Sequence, residues 1–130
     1  MGEMVRVLVV EDDPDTLAAV ATALRDEFAV WVARNAEQAL EVASELAFNA
    51  DAVVLDLDLG PGMRGDHFAA EYRRRAGRQT PIIVVSGVPR IYDMARAIRA
   101  AATFPKPFDA DELARTIRIL TGGSRESPTG

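Results

Sequence analysis

The chain has 130 residues, 48% of them hydrophobic, a formal charge of −5 and no cysteine, enough for one domain with a real core and no second folded unit. The acidic balance argues against nonspecific nucleic-acid binding, and the lack of cysteine excludes disulfides, thiolate zinc sites and cysteine nucleophiles. The start, Met1 to Val5, lacks the basic flank and apolar core of a signal peptide, and no apolar run approaches the ~20 residues of a membrane span, so a cytoplasmic domain without membrane contact is expected.

Val5 to Val10 is a continuous β-branched run, the pattern of a strand buried on both faces of a parallel sheet. It ends on Glu11, Asp12 and Asp13. Asp13 before Pro14 is an N-cap signature, better explained so than as a metal ligand. The helix it opens has Leu17, Val20, Ala21, Leu24 and Phe28 at helical spacing. Phe28 to Ala33 reads as a second strand, with Trp31 packing at its edge. Asn35 and Gln38 form a capping box for a helix whose core face holds Ala39, Leu40, Val42, Ala43 and Leu46.

Ala52 to Leu55 is the third strand, and it stops abruptly on Asp56. Asp58 follows, then a turn of Gly60, Pro61 and Gly62. A helix from Gly65 or Asp66 to Ala76 carries Phe68, Ala69 and Tyr72 inward. Arg73, Arg74 and Arg75 at its end favour the helix dipole and, with Arg78, read as a solvated face; a basic patch for an acidic partner is the alternative. His67, in the first turn, reads as an exposed histidine without a phosphotransfer or metal role. Pro81 introduces the fourth strand, Ile82 to Val85, ending at Ser86 and Gly87. A helix over Ile91 to Ala101, a weak strand over Thr103 to Pro105 and then Lys106-Pro107-Phe108 follow. Asp109 and Glu112 form another capping box, for a helix holding Leu113, Ile117 and Leu120. Residues 1–121 make the domain, and 122–130 read as a flexible tail.

Five strands alternating with five helices imply parallel βαβ units and a doubly wound sheet, here in the order 2-1-3-4-5. That order brings Glu11, Asp12, Asp56, Ser86 and Lys106 to one edge. Clustered carboxylates repel, and a hard divalent cation relieves the repulsion. Mg²⁺ suits an all-oxygen set, with Mn²⁺ as the alternative, whereas zinc and copper would want histidine or cysteine. Lys106 is the only lysine among 15 basic residues, so its ammonium is not mere surface charge. An acid, a cation, a hydroxyl and an ammonium together suit in-line phosphoryl transfer to the Asp56 carboxylate.

Val-Val-Glu11-Asp12-Asp13-Pro14, Val-Val-Leu-Asp56-Leu, Val-Val-Ser86-Gly87 and Pro105-Lys106-Pro107-Phe108 resemble the receiver domain of two-component response regulators, over residues 5 to 120. The resemblance implies that Asp56 accepts phosphate from the phosphohistidine of a histidine kinase or phosphotransfer protein. It implies Glu11 and Asp12 as the acid pair, Asp12 nearer the Mg²⁺, with the backbone carbonyl of Asp58 as a further ligand. Ser86 matches the switch hydroxyl, Lys106 the phosphate-pairing lysine, and Lys106-Pro107 a frequently cis peptide. Three features depart from the family. Pro61 comes fifth rather than fourth after the phosphoacceptor, and the segment from Ser86 to Lys106 is about two residues short. The aromatic switch position holds Thr103, with Phe104 beside it, so either Phe104 substitutes or the aromatic coupling is absent.

The expected role is a stand-alone phosphoreceiver, not a turnover enzyme, acting through a partner or as a homodimer by the fourth helix, fifth strand and fifth helix. Two other readings compete. Asp56-Leu57-Asp58 mimics the Asp-x-Asp of haloacid-dehalogenase-type phosphohydrolases, although on the third strand and in a chain too short for core plus cap. A degenerate receiver would bind partners without phosphate, against which stand the acid pair, Asp56, Ser86 and Lys106.

Overall fold

The structure, a computed structural model, describes residues 3–59, 62–77, 79–87 and 90–123. Strands and helices alternate along them: β1 (Arg6–Val10), α1 (Pro14–Arg25), β2 (Ala29–Ala33), α2 (Ala36–Glu45), β3 (Ala52–Asp56), α3 (Gly65–Arg75), β4 (Ile82–Ser86), α4 (Ile91–Ala97), β5 (Ala102–Pro105) and α5 (Ala110–Thr121). The strands form one parallel sheet in the order β2-β1-β3-β4-β5. The expected five-stranded, doubly wound α/β fold is therefore the one observed.

Because side chains alternate along a strand, each inner strand feeds two cores. Leu8, Val10, Val53, Leu55, Ile82 and Val84 pack with α2, α3 and α4. Val7, Val9, Val54, Ile83 and Val85 pack with α1 and α5. Helices on both faces leave β3 and β4 buried along their whole length, which is why those segments are unbroken apolar runs. Trp31 is half-buried on the edge strand β2. Leu46 is only half-buried, and Leu120 is 37% exposed because the inward stripe of α5 is Leu113 and Ile117. Among the described residues no helix is long and apolar enough to cross a membrane.

The caps follow the sequence with small shifts. Asp13 accepts from the Thr16 amide at 3.1 Å. Asn35 accepts from the Gln38 amide at 2.7 Å, while the Gln38 side chain takes the Arg34 amide, one residue before the cap. Asp109 takes the amide of Asp111 at 2.8 Å, not that of Glu112.

The fourth helix ends four residues earlier than Ala101, where its pattern suggested. Arg99 donates its amide to the Arg96 carbonyl at 3.1 Å and Ala100 donates to Ala95 at 2.9 Å. This pair of bonds is a Schellman closure, which needs a left-handed residue, normally glycine. Arg99 supplies it at φ 56°. The same closure ends α2 through Ala47 at φ 55°, with Ala47 donating to Ser44 and Phe48 to Ala43. After α2 the chain packs the half-buried Phe48 against Tyr72, ring centroids 5.6 Å apart. After α4 it turns directly into β5.

Gly60, Pro61, Arg78 and residues 124–130 of the expected tail lie outside the described residues. The one-residue-longer turn therefore shows only its flank. There the Met63 amide donates to Glu37 Oε1 at 2.6 Å, and Gly62 has φ 108° with Glu37 against the place a Cβ would take.

Candidate functional site

The site lies where β1, β3 and β5 end. Val10 of β1 sits level with Leu55 of β3, so Glu11 and Asp56, the next residue of each chain segment, emerge side by side. Both are almost wholly buried, at 2% and 1% exposure, and Asp12 is half-buried. Each of these three carboxylates offers an oxygen within 4.8 Å of the others'. Asp13 is spent on the α1 cap and stays out of that group, which is the reading its place before Pro14 suggested.

Lys106 follows β5, and its backbone fixes where its ammonium arrives. Its amide donates to the Ser86 carbonyl at 2.9 Å, and the peptide to Pro107 is cis. The ammonium lies 3.1 Å from Asp56 Oδ2 and 2.7 Å from Glu11 Oε1. The first contact is a well-directed hydrogen bond; the second is an ion pair off the hydrogen-bond direction, so Glu11 Oε1 has no aligned donor. The other oxygens are held by main chain: Asp56 Oδ1 accepts from the Asp58 amide at 2.9 Å and Glu11 Oε2 from the Asp13 amide at 3.1 Å.

Glu11 carries the electrostatic load. Burial, and then the neighbouring Asp56 carboxylate, push its pKa from 4.5 up to about 7, with Lys106 and the Asp13 amide acting the other way. Burial works to lower the Lys106 pKa, but Glu11 and Asp56 outweigh it and leave it raised. One ammonium thus serves two buried acids, and Asp12 adds a third negative group.

Ser86 is fully buried at the end of β4, one residue beyond Val85, which pairs with Asp56. Asp58 is exposed and stays outside the carboxylate group; it touches the site through its amide. Gly65 packs closely at the floor: a Cβ there would meet the Asp56 carbonyl oxygen and Leu57 Cα at 3.1 Å, so that backbone would have to give by a few tenths of an ångström. That close approach brings the start of α3 under Asp56, and the sequence flagged Gly65 only as a helix boundary. His67 is exposed.

The register of β5 places the two candidate switch positions on opposite faces of the sheet. Thr103 pairs with Val84, on the α4 side of the sheet, and Phe104 pairs with Val85. Phe104 packs into the α1–α5 core and against Phe108, with centroids 6.2 Å apart. Phe104 and Thr103 therefore lie on opposite faces of the sheet, Phe104 on the α1–α5 side.

A family model described as the response regulator receiver domain matches residues 7–118. The chain belongs to that family. Its receiver domain is 36% identical to the transcriptional regulatory protein TcrA of Mycobacterium tuberculosis over 95% of this chain and 47% of that protein. It is 32% identical to the DNA-binding response regulator MtrA of Mycolicibacterium smegmatis over 95% of this chain and 53% of that one. The chain thus spans about half the length of these relatives. Among solved structures, the chemotaxis protein CheY4 of Vibrio cholerae superposes with a TM-score of 0.79 at 25% identity, covering 91% of this chain and 99% of that one. The response regulator TrrA of Thermotoga maritima, in complex with Mg²⁺ and BeF, gives 0.75 at 29% identity, covering 90% of this chain and 99% of that one. Receiver domains are signalling modules of two-component systems that bind Mg²⁺ at an acidic pocket, and the acid group here is of that kind. A phosphohydrolase reading of Asp56 and Asp58 has no support in these matches.

Proposed function

We propose that Asp56 is the phosphoacceptor of this receiver, taking a phosphoryl group from the phosphohistidine of a histidine kinase or phosphotransfer protein. The observation that carries the reading is the Asp56 carboxylate itself. It is 1% exposed, pinned by the Asp58 amide at 2.9 Å and the Lys106 ammonium at 3.1 Å, and grouped with Glu11 and Asp12.

The donor set fits a hard divalent cation. All the candidate ligands are oxygens, and Glu11 Oε1 is a buried carboxylate oxygen lacking a directed donor. Glu11, Asp12, Asp56 and the Asp58 carbonyl would hold Mg²⁺ or Mn²⁺. When bound, such an ion neutralises oxygen charge that this end of the sheet otherwise concentrates.

The protein's own groups perform the rest. An Asp56 oxygen forms the new bond to phosphorus while the phosphorus–nitrogen bond of the phosphohistidine breaks, and the imidazole nitrogen keeps the electron pair. Lys106 pairs with a phosphoryl oxygen in place of part of its present contact, and the Ser86 hydroxyl donates to another. Both oxygens of Asp56 are already held, so the nucleophile needs no reorientation. Binding by Ser86 and Lys106 favours one arrangement of the β4–β5 side over another and so biases the face of α4, β5 and α5. The recipient of that bias is an effector protein, a second copy, or a further part of a longer chain such as those of the relatives.

Incubation with acetyl phosphate and MgCl₂, followed by peptide mapping, tests this. The expected product carries one phosphoryl group on Asp56, lost in Asp56→Asn and with EDTA. Modification that persists in Asp56→Asn would move the acceptor to another residue and overturn the assignment, and no modification at all would overturn it in favour of a phosphate-independent receiver.

A further inference from the structure

A cleft of about 490 Å³ opens at the opposite end of the sheet from Asp56, where the chain enters β4 and β5. Arg73, Gln79, Thr80, Pro81, Arg99 and Leu120 line it. We propose that this cleft is an anion site that takes a small phosphate- or sulfate-like group attached to a compact apolar body, seated on Arg73 and Arg99.

Three observations support it. Arg73 is half-buried, unlike the solvated residue its sequence context suggested. Its two terminal nitrogens donate to the carbonyls of Ile98 and Arg99, at 3.1 and 3.0 Å. Those bonds fix the plane of the guanidinium, and its remaining N–H groups have no acceptor among the described residues. Burial and then the like charge of Arg99 push Arg73 below its ordinary pKa, so the two cations act on each other.

Second, among the described residues no carboxylate lines the cleft, although the chain has 20 acids against 15 basic residues. Neighbouring arginines show the usual arrangement. Arg74 and Arg75 both pair with Glu71, at 2.7 and 3.0 Å, and Arg118 pairs with Glu27. Two guanidiniums lining one cavity with no carboxylate among the described residues repel, and a bound anion relieves that repulsion.

Third, Arg99 occupies the left-handed position of the Schellman closure at φ 56°, where glycine or asparagine is the comfortable residue. Ala47 fills the same position after α2 at φ 55°, so the turn itself calls for no particular side chain; after α4 it carries a guanidinium to the lining of the cleft. Pro81 and Leu120 supply the apolar wall, and the size is that of a small-molecule cleft.

Residue-resolved NMR titration with phenyl phosphate, without Mg²⁺, tests the proposal on the whole chain. The expected result is saturable shifts at Thr80, Arg99, Ala101 and the Arg73 side chain, distinct from any at Glu11, Asp56 and Lys106. Arg99→Asn, which keeps a residue at ease with positive φ, should weaken binding about tenfold. Arg73→Lys, which keeps the charge but loses the two-carbonyl grip, should weaken it less. Absence of shifts at the cleft up to about 10 mM, a dissociation constant weaker than any metabolite site needs, would overturn the proposal, as would equal binding by Arg99→Asn. Phosphorylation of Asp56 is scored separately by mapping, so either reading can fail alone.

Discussion

The carboxyl ends of β1 and β3 differ from the α4–β5 flank in how tightly the fold specifies them. At β1 and β3 every strand residue from Val7 to Val10 and from Ala52 to Asp56 is buried, and the acids emerge at fixed positions from two apolar runs in register. Along the flank, β5 is only partly buried, α4 spans Ile91–Ala97, and Tyr92 stands 58% exposed. Placing the acids needs only strands that cannot slip, because a one-residue shift would turn every core side chain outward. The flank has no such constraint, and it is where the chain is least regular: α4 ends at Ala97, Arg99 takes a left-handed turn position at φ 56°, and β5 is only partly buried.

The largest expected effect breaks the rigid side. Lys106→Arg should lower the rate of phosphorylation by acetyl phosphate by about 100-fold, measured as phosphoprotein formed against time. A planar guanidinium can still bridge Glu11 and Asp56, but it cannot follow a phosphoryl oxygen as a compact ammonium does. A rate within a factor of a few of the parent would show that the single lysine supplies only charge.

Next is the pH dependence of cation binding. The proton on Glu11 must leave before its carboxylate can hold a cation, so Mg²⁺ affinity should fall about tenfold for each pH unit below about 7 and level off above it. Stability of the cation-free protein runs in a linked direction. A carboxyl whose folded pKa stands at about 7 against 4.5 unfolded favours the native state fully below 4.5 and loses that contribution as pH rises through 7. Chemical denaturation at pH 5 and pH 8 should show the loss, with MgCl₂ restoring more at pH 8. A Mg²⁺ affinity independent of pH between 5.5 and 8 would mean that Glu11 is ionised throughout.

The third probes the flank. Phe104→Ala should cost about 2 kcal/mol, since the ring is partly buried between the α1–α5 core and Phe108. The shift of α4 amide resonances on adding beryllofluoride with Mg²⁺ should persist. Loss of that shift in the folded variant would make Phe104 the coupling residue despite the side of β5 it occupies.

These two regions also mark how far the sequence could be followed. Asp56 and Glu11 were legible because each ends a run of consecutive buried β-branched or leucine residues, and strand order follows from the βαβ alternation. The end of α4 was not legible. Helical periodicity continues through Arg99 to Ala101, and the residue that breaks it is an arginine in a conformation sequence rules assign to glycine. Which face Thr103 and Phe104 each take turned on register, since a two-residue period places one on each face and only the pairing with Val84 says which. The contacts of Arg73 with the carbonyls of Ile98 and Arg99 are between residues 25 and 26 positions apart, beyond any local pattern.

The smallest effect comes from Arg99→Gly, and its sign separates the flank from the rest of the molecule. Most substitutions destabilise, and a glycine usually does so through the entropy of the unfolded chain. Here the native residue sits at φ 56°, so relief of the left-handed strain outweighs that entropy, and removal of a charge that repels Arg73 adds to it. The net gain should be about 0.5–1 kcal/mol in denaturant unfolding. Salt separates the two contributions: repulsion between Arg73 and Arg99 is screened as ionic strength rises toward 1 M, where the Debye length is about 3 Å, whereas backbone strain is not. A gain that vanishes in high salt would locate the cost of Arg99 in its charge. A loss of stability at all salt concentrations would show that its side chain holds the α4–β5 turn together, and the glycine-like backbone would then be a consequence of that grip.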